Sequence, residues 1–408
     1  MQVSVAYVSG VMDEQPFKPE GVMKIQDQKM ARRISFKSVA TLLAHCTGFA
    51  AINFGGCLQH MFPFNSSWVT RFLVIPLMYV LNVLAETLVR IIRVKIKSRI
   101  LVSMKRAGDS YESLELKRDE TGIDQEQTIL TETEEHLEWC LETWDEESYE
   151  AELDVAGLSI SFLLVQSVRA SLTGVMPNNL GIEPGVGVHP QSCSIYMILF
   201  GLAFAGICVS QVIIHEWYFP LNKKVAPLSC ESGLLRVVRI MQISSAMAFS
   251  WSLFVASKWE IARYLPQYQA NGVISRVILT VELSFIAFWV IVALDKLADA
   301  EWTGDTTDRA IITIIGALST LVGFAYEQAF DGAVEALAAT SFKWHPLLGE
   351  LLLTVGVWII VYPAWRKYIL RKLLVLKEQR ILQEDGGRLA SRSKASLSDR
   401  ALESAAMT

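Results

Sequence analysis

VISRVILTVELSFIAFWVIVAL, residues 273–294, decides how the whole chain is to be read. It contains only two charges, Arg276 and Glu282, in a length matching the roughly 20 apolar residues that a helix needs to cross about 30 Å of hydrocarbon. In lipid the backbone must satisfy its own hydrogen bonds, so such a run is expected to be helical. Seven further windows share this make-up: residues 37–58, 68–92, 155–176, 194–214, 234–257, 310–331 and 347–365. The expected fold is therefore all-α, a polytopic transmembrane helical bundle of about eight spans. Composition agrees, since 52% of the 408 residues are apolar, 19% are charged and the mean hydropathy is +0.33. Soluble domains carry roughly 25% charge, which disfavours a water-soluble enzyme. The first window is the least regular, holding His45, Asn53, Gly48, Gly55 and Gly56. Small residues there would let transmembrane backbones approach closely.

The net charge of −5 conceals a partition. Between Asp109 and Asp154, 18 acidic residues oppose only Lys117 and Arg118, leaving −16 there and +11 on the rest of the chain. The domain reading follows: a cytoplasmic N-terminal segment (1–36), spans 1 and 2 (37–98), an acidic cytoplasmic insert (99–154), spans 3 to 8 (155–366), and a cytoplasmic helix with a disordered tail (367–408). The N-terminus shows no apolar core of a cleaved signal. Within the insert, Ile129, Leu130, Leu137, Leu141 and Trp144 recur at helical intervals. Two readings stand: a solvated acidic linker, or a docking helix for a cytoplasmic partner or for the protein's own basic tail. Ser35 and Ser393, each beside arginines, fit a basophilic phosphorylation pattern, where phosphate would oppose the leaflet-binding charge.

Orientation is read from Lys and Arg at the span ends. Arg32, Arg33, Arg90, Arg93, Lys95, Lys97, Lys223, Lys224, Arg366 and Lys367 fall on one side, against Lys258, Arg263 and Lys343 on the other. Both termini are accordingly expected in the cytoplasm, in the plasma membrane or an endomembrane. Trp68, Trp259, Trp344 and Trp365 sit at expected span ends, as interfacial aromatics do. His189-Pro190 and His345-Pro346 precede spans 4 and 8, and Thr70-Arg71 and Ser275-Arg276 open spans 2 and 6. Two parallel four-helix repeats would produce this pattern.

Charge at membrane depth faces a partner, a cavity or an interface. Glu282 lies nine residues into its span, about 14 Å deep at about 1.5 Å per residue. Arg169 lies fourteen residues into span 3. Either Arg169 pairs with Glu282 or another carboxylate to fix packing, or Glu282 is a proton or cation site. Glu327, Asp331 and Glu335 recur every four residues, forming one acidic stripe. That stripe suits the outer mouth of a cation pathway or the solvated end of a long helix.

Residues 235–240, Leu-Arg-Val-Val-Arg-Ile, resemble the start of a voltage-sensor helix over this hexapeptide alone. The next positions of that pattern are Gln242 and Ser245, so snorkelling of Arg236 and Arg239 is the preferred reading.

No GxSxG, HExxH or P-loop is present, and the six cysteines form no CxxC pair. The chain is read as non-enzymatic, without cofactor or metal and without a nucleic-acid footprint. The expected function is a channel or secondary transporter for a small ion or solute, cation- or proton-linked. The candidate site is Glu282, Arg169, Glu327 and Asp331, with the lipid bilayer and the solute as partners. The alternative is a non-transporting scaffold or receptor-like protein, binding cytoplasmic partners through its insert and tail.

Overall fold

The computed structural model describes residues 25–115, 123–179, 181–183, 188–218, 233–265, 272–298, 300, 305–364, 368, 369 and 372. Among these the helices are α1 (Ile25–His60), α2 (Trp68–Phe72), α3 (Val74–Glu115), α4 (Ile123–Thr173), α5 (Gln191–Tyr218), α6 (Gly233–Tyr264), α7 (Val273–Ala298), α8 (Asp305–Ser341) and α9 (Pro346–Ala364). No strand occurs among the described residues. Eight helical stretches are long and apolar enough to span a membrane: Ser35–His60, Trp68–Ile100, Leu137–Thr173, Gln191–His215, Leu234–Tyr264, Val273–Ala298, Thr307–Ser341 and Pro346–Ala364. The protein is a multi-pass integral membrane protein. The second span has a break at Leu73, because Pro76 lacks the N–H that would bond the carbonyl of Phe72. Ser67 and Thr70 cap the short α2 reciprocally.

The chain divides into two compact units, Met1–Pro16 with Phe36–Leu337, and Phe17–Ser35 with Ala338–Thr408. In the second unit, the turn after α8 closes with His345 N–H donating to the Phe342 carbonyl at 3.0 Å, and Gly349 lies against the Phe342 ring. A Cβ on Gly349 would come within 2.6 Å of that ring, so this turn needs glycine. The apolar side chains of α9, including Leu351, Trp358 and Ile360, are exposed, as on a lipid-facing helix.

In the first unit, α4 and α6 form the centre. Of their most apolar stretches 67% and 72% are buried, against 22% in α3, α5 and α7. Small side chains permit this. Ser244, Ala248, Ser252 and Ala256, four residues apart on α6, are all buried. Gly157 on α4 faces Ile243 so closely that a Cβ would meet its Cγ2 at 2.4 Å. The central pair, spans 3 and 5, are not equivalent positions in a four-span unit, so burial does not follow the proposed repeat.

Around this pair, α1 runs parallel to α4, with Gln59 donating to the Ser167 hydroxyl at 2.9 Å and the Leu163 carbonyl at 3.2 Å. The α3 helix is antiparallel to α4, joined by Asn82 to Ser159 at 3.0 Å. The α7–α8 pair is clasped by Thr280 donating to the Ala325 carbonyl at 2.8 Å. The C-terminal ends of α1, α4 and α6 therefore lie at one end, here the loop end. The starts of α4 and α6 lie at the other, the acidic end.

The expected solvated linker is corrected here. From Leu137 onward the insert continues span 3 as packed helix, with Cys140 and Trp144 fully buried against Phe36, Leu43, Ile96 and Ile100. Several of its described carboxylates are paired with bases inside the protein. Arg93 meets Glu152 at 2.8 Å and Asp145 at 3.6 Å, and Lys97 pairs with Asp145. Lys37 meets Glu150 at 2.7 Å. Arg236 bridges Glu86 at 2.8 Å and Glu152 at 2.9 Å beneath the Tyr149 ring, so it pairs inside the protein and does not snorkel. Apolar side chains at helical intervals require a covered face, and α3 and α1 supply it. The side chains of Ile129 and Leu130 lie outside the described ones.

Candidate functional site

Among the described residues, three cavities of the first unit bear on the site. The central one, about 570 Å³, lies between α1, α4, α6 and α8. Its walls are mainly apolar, from Leu42, Phe49, Leu158, Met247, Trp251, Leu321 and Phe324, with Thr41, His45, Ser250, Thr320 and Glu327 as polar groups. The His45 ring is held by a 2.8 Å hydrogen bond between Nδ1 and the Thr41 carbonyl. Glu327 is close enough for its charge to interact with His45, as is Asp154.

Asp154 lines a second cavity, of about 450 Å³ at the acidic end, with Glu150, His215, Arg239, Gln242 and Arg309. The third cavity, about 40 Å³, lies toward the loop end and is lined by Gln166, Arg169, Gly181, Ile182, Lys258 and Gln328 together with apolar side chains.

Trp251 and Phe324 line both the central and the loop-end cavity. Their ring centroids are 4.7 Å apart in an edge-on arrangement. Phe162 lies 5.2 Å from Trp251, while Phe254 and Phe49 lie 5.4 and 5.5 Å from Phe324. Rings at these separations pack favourably, edge-on for Trp251 with Phe162 and Phe324 and stacked for Phe49 with Phe324, so an aromatic cluster stands between the two cavities.

Arg169 is paired with another carboxylate, and Glu282 is not its partner. Arg169 Nε donates to Glu183 Oε1 at 2.5 Å, and a terminal nitrogen donates to the Gly181 carbonyl at 2.9 Å. Glu183 also accepts from Trp259 Nε1 at 3.2 Å and contacts His189 Nε2 at 2.9 Å. Burial alone would raise the Glu183 carboxyl, but the adjoining Arg169 charge, its hydrogen bond and His189 together hold it below the ordinary carboxylate range. Trp259, expected at an interface, is buried because this hydrogen bond draws it inward.

A comparison with protein-family models, curated proteins and solved structures found no match for the chain.

Glu282 is half-buried, hydrogen-bonded to Ser257 and near Glu260, and lines none of the three cavities. The acidic stripe divides. Glu327 faces the central cavity, Asp331 is 73% exposed and 3.7 Å from Arg276, and Glu335 is exposed. Lys258 and Arg263, expected in an outer loop, belong to α6, because that helix continues to Tyr264. Ser35 is half-buried within α1, and Ser393 lies outside the described residues. Sequence reasoning missed Glu183, Lys258, Trp251 and Phe324. Lys258 sits one residue beyond the apolar window, and an intramembrane lysine so close to a span end could have been flagged.

Proposed function

We propose that the protein is a channel or secondary transporter for a small ion or solute, with both termini cytoplasmic by the Lys and Arg bias. The observation that carries this reading is the Trp251–Phe324 contact, the two residues that, among the described ones, line both the central and the loop-end cavity, each a mainly apolar space holding a few polar groups. An aromatic plug between cavities is the arrangement that gating by side-chain movement requires. His45 and Glu327 supply titratable groups at the larger cavity, which makes Glu327 a better coupling carboxylate than Glu282. Purified full-length protein in liposomes should pass solute, and Trp251→Ala and Phe324→Ala should each raise passive flux. Tight liposomes for both variants and the unmutated protein, under every gradient, would overturn the reading.

A second reading is favoured by the ion pairs at the acidic end, where Arg93, Lys97 and Arg236 are matched by carboxylates. That dry, paired packing suits a scaffold presenting its acidic segment to cytoplasmic partners. Absence of flux together with capture of a cytoplasmic protein by residues 99–154 would support it.

A further inference from the structure

We propose that the loop-end cavity binds one small oxyanion that carries its own proton, of the size and chemistry of bicarbonate. Three helices build the site: Gln166 and Arg169 come from α4, Lys258 from α6 and Gln328 from α8.

The first argument is charge. Arg169 is already matched, since Glu183 lies 2.5 Å from its Nε and the Gly181 carbonyl takes a further N–H. Glu183 is in turn filled by Trp259 and His189. Lys258 has no carboxylate within ion-pair distance among the described residues, and the other charges felt by its ammonium include Arg276 as well as the Arg169–Glu183 pair. The cavity thus holds about one surplus positive charge beside Phe162, Trp251, Phe254 and Phe324, where an unmatched charge is costly. A single negative charge would match it.

The second argument is hydrogen bonding. Gln166 is 2% exposed, and its Oε1 is buried with no partner. Its Nε2 donates to the Asn178 carbonyl at 3.3 Å, which fixes the amide, because a flipped amide would set oxygen against oxygen. An acceptor is therefore left seeking a donor beside a cation seeking an anion. Chloride offers no donor. Water offers no charge. Bicarbonate offers one hydroxyl and one negative charge.

The third argument is size: the cavity, about 40 Å³, is far smaller than the central one and suits a small anion over an organic solute.

This deepens the transport reading, resting on it for any step from binding to passage, while the binding itself can be measured alone. Full-length protein in nanodiscs of zwitterionic lipid, titrated calorimetrically with sodium bicarbonate or sodium chloride at matched ionic strength, tests it. Bicarbonate should bind saturably and chloride about tenfold or more weakly, the ratio expected for one hydrogen bond in a charged site. Lys258→Gln should abolish binding and Lys258→Arg retain it, while Gln166→Leu should bring bicarbonate down to the chloride level. Size-exclusion behaviour and helical circular dichroism identify any variant that fails to fold, and the comparison of the two anions on unmutated protein stands without variants. No saturable bicarbonate binding, equal affinity for chloride, or unchanged binding by folded Lys258→Gln protein would overturn the proposal. Solute flux without bicarbonate binding would remove this site and leave the transport reading. Binding without flux under any gradient would do the reverse.

Discussion

Glu183→Gln removes one carboxylate charge from a cluster in which both partners are sealed: Arg169 and Glu183 are each 5% exposed. Taking away one member of a buried ion pair leaves the other charge uncompensated, at a cost of about 3–5 kcal/mol. The amide has one acceptor oxygen where the carboxylate has two, so it cannot receive Arg169, Trp259 and His189 together. A loss of that size is a large share of the roughly 5–15 kcal/mol that holds a typical protein folded. Arg169→Met combined with Glu183→Gln should cost less than the sum of the two single changes, because the double variant strands no charge. The pH dependence has a definite sign. Glu183 is held below its ordinary value of 4.5, so its contribution is complete above pH 4.5 and is lost as pH falls from there through the folded-state value. Unfolding of the purified protein in detergent, followed by tryptophan fluorescence across this range, reads both effects. If Glu183→Gln unfolds within about 1 kcal/mol of the unmutated protein and keeps the same acid sensitivity, the pair behaves as a solvated one and the reasoning fails.

Proton-linked flux in liposomes should lose its pH dependence in Glu327→Gln and keep it in Glu282→Gln, since only the first lines the central cavity with His45; the opposite outcome would return the coupling role to Glu282. Gly157→Ala places a Cβ 2.4 Å from Ile243 Cγ2 and should destabilise by about 1–3 kcal/mol, with a smaller penalty when Ile243→Ala is added, as measured by unfolding in detergent. Trp144→Ala empties a fully buried site between α4, α3 and α1 and should cost about 3–5 kcal/mol; proteolysis near residue 144 should become faster, whereas a solvated linker would show no change.

The eight spans were legible because hydrocarbon imposes length and apolarity on each one separately. The insert was half legible: Leu137, Leu141 and Trp144 marked a helix, but composition between them argued for solvation, and the bases that cancel it, Arg93 and Lys97, lie across a hairpin. The central position of α6 had a signal, the buried small residues Ser244, Ala248, Ser252 and Ala256 at a spacing of four, which hydropathy alone does not weigh. The candidate site was least legible. Glu183 sits in a loop fourteen residues from Arg169, and neither periodicity nor a motif connects them. His45 and Glu327 meet only because α1 and α8 flank the same pair of central helices. Arg169 was singled out by its depth, while its pairing with Glu183 could come only from the tertiary structure.

The ion pairs that stitch α3 to α4 also set an order of events during synthesis. Arg93 leaves the ribosome 59 residues ahead of Glu152, and Lys97 leaves 48 residues ahead of Asp145. At about 5–20 residues per second this is an interval of roughly 2–12 s. Throughout it the two cations lack the carboxylate partners that α4 later supplies, and unpaired Lys and Arg beside a span are the kind of charge that biases orientation. Once the acidic helix emerges, the same charges are withdrawn into the folded protein. Two of the cations at the end of the second span thus serve the finished molecule as a structural clasp, while their neighbours Arg90 and Lys95 stay exposed.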